Sequence, residues 1–250
     1  MPDITKVSRC ILSVRLFMLL LALAASVAPV ADLGRIAHQS TTMVSEPERR
    51  VMLVAGTPHG PIAIVGDASF SDTALLEGWD GDGSPESPYM IDGLDIDLGG
   101  GVGHCISISN TRVSFIITNC SFTGASWEGP AGTGIFLETV TNGELVKNTF
   151  DVRFGILVRY SDNCTITENT CNNNGIGICL ESSNSNTVTD NTCFSNTGDG
   201  IYLYASFFNT VANNTCTSNE VGIQLYGSEH NTLCNNTCTS NNYGFYLSES

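Results

Sequence analysis

The chain has 250 residues, 42% hydrophobic and 14% charged, enough to bury a sizeable core in one or two domains and too apolar for a disordered tail. Ten Lys and Arg stand against 25 Asp and Glu, a formal net charge of −15. From Val51 onward the Lys and Arg residues are Arg112, Lys147, Arg153 and Arg159, and none follows, which excludes a nucleic-acid partner and a polybasic membrane patch.

Lys6, Arg9 and Arg15 precede an apolar run from Leu16 to Val30, with small residues at Ser26, Ala28 and Ala31. This predicts a secretory signal peptide over residues 1–31. A run of about 15 residues falls short of the ~20 that a spanning helix needs, so an uncleaved N-terminal anchor is the lesser alternative. Either way the expected location is extracellular or at the cell surface, with membrane contact only through an uncleaved N-terminus or a C-terminal anchor beyond the sequence. Residues 32–50 show no sustained periodicity and read as a linker. Residues 51–88, ending in the Gly-, Pro- and Asp-rich stretch from Gly78, read as an N-terminal lead-in whose Trp79 caps the first coil.

From Ile106 onward the chain repeats. Equivalent residues are Ile106, Ile135, Ile156, Ile178, Ile201, Ile223 and Phe245, spaced by 29, 21, 22, 23, 22 and 22 residues, and the first interval carries an insertion around Gly124–Gly134. Aliphatic residues recur two and ten positions after each start, as at Leu180 and Val188. Thirteen residues after each start stands Asn119, Asn148, Asn169, Asn191, Asn214 or Asn236, and Gly precedes six of the seven starts. A period of this size signals stacked coils. Aliphatics two apart mark one face of a short strand, and the second aliphatic site begins another strand after a polar turn. Coils stacked at about 4.8 Å pair every backbone group with its neighbours, and recurring Asn side chains form a hydrogen-bonded ladder at a turn.

The fold class is therefore all-β, a right-handed parallel β-helix over residues 89–250 with coils of about 22 residues. Leucine-rich repeats have similar length but need a different Leu pattern, and stretches such as GIYLYASFFNTVANNTCTSN hold no helix-length apolar face. The unit GIxLxxSxxNTVxxNTCxxN resembles the right-handed β-helix repeats of NosD-type and related carbohydrate-binding or sugar-hydrolase families. Phe245–Ser250 begins a coil and stops before its second strand, so the C-terminal end reads as truncated.

Cys171, Cys193, Cys216 and Cys238 recur fifteen residues after their starts, at a position held earlier by Ser121 and Phe150. They read first as a buried structural ladder, with disulfides and a soft-metal site as alternatives. No cofactor and no resident metal is expected. The Asp80–Ser84 segment is an incomplete cation loop, and the Met/His clusters that copper handling favours are absent from the sequence. No catalytic residue stands out. Glu138, Arg159 and Glu181 share an outward position and read as a surface charge ladder.

One and three residues after the last starts stand Tyr202, Tyr204, Tyr226 and Tyr246 with Gln224, a patch whose flat rings suit stacking on sugars. N-x-Ser/Thr sequons fall at Asn119, Asn163, Asn213 and Asn235. Asn119 is expected inside the ladder, leaving the other three as glycosylation candidates. The expected function is a non-catalytic secreted or surface β-helix that displays this face to an extracellular polysaccharide or a surface protein. The alternatives are a polysaccharide-active enzyme whose site lies in further C-terminal coils and, as the resemblance implies, a NosD-like role in copper maturation.

Overall fold

The structure is a computed structural model that describes residues 56–126 and 132–250. The predicted signal peptide or anchor (1–31) and linker (32–50) lie outside the described residues. Each full coil contributes one strand to each of three parallel sheets. The first sheet has eight strands, from Ile62–Val65 through His104–Thr111, Thr133–Val140, Phe154–Arg159, Ile176–Glu181, Asp199–Tyr204 and Val221–Tyr226 to Tyr243–Ser248. The second has seven short strands, of which Thr187–Thr189 is typical, and the third has eight, of which Thr192–Phe194 is typical. Register is strict: Ile135, Ile156, Ile178, Ile201, Ile223 and Phe245 stack one above another.

Three strands per coil exceed the two that the sequence predicts. The third strand places a single residue inward, such as Cys193 between Thr192 and Phe194, so no alternation betrays it. The inward residues of all three sheets form one continuous core, with Ile178, Leu180, Val188 and Cys193 fully buried within one coil.

The corners explain the polar composition. At each corner a residue in the left-handed region precedes one whose side chain turns inward, as at Glu168 (φ 56°), Asp190 (φ 58°) and Asn213 (φ 57°) before Asn169, Asn191 and Asn214. The inward oxygen accepts the backbone N–H of the equivalent residue one coil earlier. Asn148, Asn169, Asn191 and Asn214 donate in this way to Asn169, Asn191, Asn214 and Asn236, at 3.0, 2.9, 2.9 and 3.0 Å. A second Asn ladder runs through Asn174, Asn196, Asn219 and Asn241, and a third through Asn186, Asn209 and Asn231. Seryl oxygens do the same from Ser183 to Ser250. The side-chain amides donate in turn to main-chain carbonyls, Asn191 Nδ2 to Ile166 and Thr189 at 2.9 and 3.0 Å. Buried polar backbone is thereby satisfied without water.

The Gly before the starts from Ile135 to Ile223 has a packing reason. A Cβ on Gly177 would lie 2.5 Å from the Gly200 carbonyl oxygen and 3.1 Å from Cys193 Sγ, so the third strand packs directly on this backbone.

The solenoid begins earlier than Tyr89. Thr57–Pro58 pairs with Leu94–Asp97, and Ile62–Val65 pairs with the strand from His104, so the lead-in supplies two strands of the first coil. The helix Gly66–Glu77 then crosses the open end. Its Phe70 is fully buried against Tyr89 (5.1 Å between centroids), Phe115 (5.2 Å) and Trp79 (6.1 Å). Phe70 is the central plug, with Trp79 at its edge. Asp67 anchors the helix start by accepting the Thr111 hydroxyl (2.7 Å) and the Arg112 N–H (2.9 Å), bonds that hold its carboxyl below the usual range. Asp82, in the Asp80–Ser84 segment, accepts the Ser84 N–H at 2.9 Å and serves as a turn acceptor.

The ladder bonds generate the first expectation. Asn191→Ala orphans the buried Asn169 N–H, at about 1–3 kcal/mol per unsatisfied group. The exposed neighbour change Thr192→Ala should stay within about 0.5 kcal/mol. Urea unfolding of both variants measures the difference, and equal midpoints would contradict it.

Candidate functional site on the outer face of the first sheet

Side chains one and three residues after each start stand on the outer face of the first sheet, and their character changes along the stack. On the early coils Arg159 donates through Nη2 and Nε to Glu181 Oε2 at 2.9 and 3.0 Å, and its Nη1 lies 4.0 Å from Glu138 Oε1. The guanidinium sits 5.7 Å from the Phe136 ring centroid, and His104 stacks on the same ring at 4.6 Å. Burial, with Arg159 adding to it against Glu138, lowers the His104 pKa and keeps the imidazole neutral near pH 7. His104 Nδ1 and the hydroxyl of Thr133, its partner in the adjacent strand, are buried without a hydrogen-bond partner.

On the late coils the face is aromatic. Tyr204 and Tyr226 stack at 5.8 Å with 14° between their planes, and Tyr202 lies 6.3 Å from Tyr204. Gln224 is in register between Tyr202 and Tyr246, and its amide nitrogen, in the orientation that satisfies both groups, donates to both Asp199 carboxylate oxygens at 3.3 Å. Tyr246 makes an edge contact with Tyr243 at 6.1 Å. The structure thus gathers Tyr202, Tyr204, Gln224 and Tyr226, with Tyr246 one coil beyond. Phe208 stands apart, stacked on His230 at a corner.

Asp199 is the residue that the sequence reading missed. Burial, with Glu220 adding like-charge repulsion, pushes its carboxyl up to about 6. Burial first, then Cys179 and Asp199, pushes the Tyr202 hydroxyl up to about 12. Because the folded pKa of Asp199 lies above its unfolded value of 3.8, its contribution is fully present below about pH 4 and is lost as pH rises through about 6. Asp199→Asn should therefore raise the melting temperature at pH 7.5 and leave it nearly unchanged at pH 4. Thermal unfolding at the two pH values checks this, and an equal shift at both would contradict it.

Asn119 stands outside the ladder, contrary to the expected register. The inward slot belongs to Cys120, whose N–H donates to Asn148 Oδ1 at 3.0 Å, while Asn119 is an exposed left-handed corner residue (φ 52°) that donates to Asp92 at 2.8 Å. Phe122, not Ser121, likewise fills the slot of the cysteine column, pairing with Phe150. The turn between Thr111 and Phe115 causes this one-residue slip: Thr111 pairs with Val140 but Phe115 with Gly143, so this turn holds one residue more than its counterpart in the next coil. Asn163, Asn213 and Asn235 are also exposed left-handed corner residues (φ 56°, 57° and 54°). Asn213 and Asn235 share one corner of consecutive coils, about 4.8 Å apart, too close for two glycans. In a host that N-glycosylates exported chains, glycopeptide mass spectrometry should find Asn119 modified and at most one of Asn213 and Asn235 occupied per molecule; molecules carrying both would contradict the register.

Comparison with known proteins fits this architecture. The sequence profile of the family described as periplasmic copper-binding protein (NosD) matches residues 91–250. The chain belongs to the NosD family. No curated protein matches it. Among solved structures, a double mutant of the periplasmic alginate epimerase AlgG is similar at 22% identity and TM-score 0.57, covering 74% of this chain and 42% of that one. Another AlgG structure is similar at 21% identity and TM-score 0.52, covering 70% of this chain and 39% of that one. The chain therefore spans about two fifths of those structures, and the likeness is one of fold.

Copper, which the family description implies, does not fit the residues described. Among them no group of three His, Cys, Asp or Glu side chains converges. Hydrogen bonding to the cysteine one coil earlier, with burial adding to it, holds the thiols of Cys193, Cys216 and Cys238 above the ordinary range. Burial pushes Cys105 and Cys179 up to about 12 and Cys120 and Cys164 up to about 11. A soft metal binds cysteine as thiolate, and burial with these hydrogen bonds raises the cost of giving up the thiol protons.

Proposed function

We propose that this NosD-family chain works outside the cytoplasm as a non-catalytic polysaccharide-binding β-helix, using the late-coil half of the first sheet's outer face. The observation that carries the reading is the Tyr204–Tyr226 stack with Tyr202 and Gln224 beside it. Tyr204 and Tyr226 are 41% and 38% exposed, so their rings offer apolar area to a sugar face while hydroxyl and amide groups bond its hydroxyls. The strands hold these groups at fixed spacing, so little side-chain freedom is lost on binding. The family's periplasmic description supports export, as does the predicted signal peptide.

Binding of wild-type protein to a panel of neutral, acidic and amino polysaccharides tests the reading, with Tyr204→Ala/Tyr226→Ala as the control. Truncating an aromatic anchor such as Tyr costs about 2 kcal/mol or more, so the double variant should bind at least about tenfold more weakly. Equal binding by the two proteins would place the contact elsewhere.

A polysaccharide-active enzyme is the second reading, favoured by the neutral His104 with its unpartnered Nδ1 beside Arg159 and two carboxylates. Such a grouping offers a proton acceptor next to a cation. Product analysis on any polysaccharide that binds separates the two readings, since the binding reading expects the polymer to be recovered unaltered.

A further inference from the structure

The tyrosine patch has a charge that no cation among the described residues balances. Asp199 stands at its edge, half-buried and, among the described residues, tied only to the neutral Gln224 amide. The charged group that acts on it is Glu220, of the same sign. Around it stand Cys179 from the coil before and Val221 and Gln224 from the coil after, with Tyr243 one coil further, so no cation of the described residues faces it. No Lys or Arg follows Arg159, and His230, the one histidine of these coils, is stacked on Phe208 at a different corner.

Glu220 also lines a polar groove of about 370 Å³ across the adjoining corner, walled by Thr197, Ser218, Asn219 and Asn242. A polymer lying on the rings has a polar path that continues past both carboxylates. Carboxylates beside exposed aromatic faces form the environment that attracts organic ammonium groups, through ion pairing and the ring quadrupole together. A polyuronate would meet uncompensated like charge at the same place.

We infer that the ligand of this face is a polysaccharide bearing protonated amines, an amino-sugar polymer, with Asp199 and Glu220 as its anionic partners and Tyr204 and Tyr226 as its stacking surface. The inference rests on the glycan-binding reading above and names the ligand class for that same face. Asp199 then serves as a specificity determinant, and its unbalanced burial is relieved when the ligand supplies the missing cation.

The test is calorimetric titration at pH 6 and low salt with three oligosaccharides of equal length: a β-1,4-glucan, its N-acetylated 2-amino counterpart, and the free-amine counterpart. The free amine should bind about tenfold more tightly than the other two and lose that advantage as salt is raised. Asp199→Asn should bring the three affinities together, while Tyr204→Ala/Tyr226→Ala should weaken all of them. Asp199→Asn removes a destabilising charge, so loss of selectivity in that variant does not report misfolding. Equal affinity of the wild type for all three, with Asp199→Asn unchanged, would overturn the ammonium inference and leave the glycan-binding reading standing. Failure of all three to bind, together with failure of an acidic polysaccharide, would overturn both, and preference for the acidic polymer would overturn the ammonium inference alone.

Discussion

A buried side-chain oxygen at each corner, accepting the backbone N–H of the equivalent residue one coil earlier, is the bond on which the solenoid depends. Strand ladders satisfy the flat faces of any parallel stack, but a corner breaks the ladder and turns its polar groups toward a dry interior. Asn is suited to the position because one oxygen accepts from the coil before while its amide reaches back to a carbonyl. The cost is a left-handed residue just outside each ladder position, which Asn, Asp and Ser bear more readily than β-branched residues. A chain rich in Asn, Ser and Thr and only 14% charged follows directly from these corners.

With the inward positions assigned to packing and ladder bonds, the outward positions of the first sheet are released from the fold. They can differ from coil to coil without disturbing the register, and they do. Arg159 with two carboxylates holds the early coils, and tyrosines hold the late ones. Rigid strands then fix the spacing of whatever those positions carry, which is why a solenoid suits an extended polymer. Asp199 departs from this economy: its carboxyl is buried at a cost that the surrounding protein does not offset.

Much of the fold was legible because the repeat is spelled by inward residues. Ile178, Leu180 and Val188 announce two sheets, and the Asn columns announce the corner ladders. The third sheet was not legible, since Cys193 or Cys216 alone gives no alternation. Asn119 was misplaced because the turn between Thr111 and Phe115 holds one residue more than its counterpart in the next coil, and only backbone pairing separates Cys120 from Asn119 as the ladder member. The tyrosine patch could be read from its spacing. His104 and Asp199 could not, because their shared column runs through Thr133, Phe154, Ile176, Val221 and Tyr243 and has no repeating chemistry. Their importance comes from burial and neighbours, which depend on adjacent coils rather than on local sequence.

The corner bond is tested most directly by native-state hydrogen exchange resolved to single amides. If the ladder carries the stack, the N–H groups of Asn169, Asn191, Asn196, Ser183 and Asn186 exchange as slowly as those of the strand residues Ile178 and Ile201, opening only with the whole coil. Exchange of these corner amides at the rates of exposed loops, while the strand amides stay protected, would show that the sheets hold the solenoid without the ladders and would contradict the account.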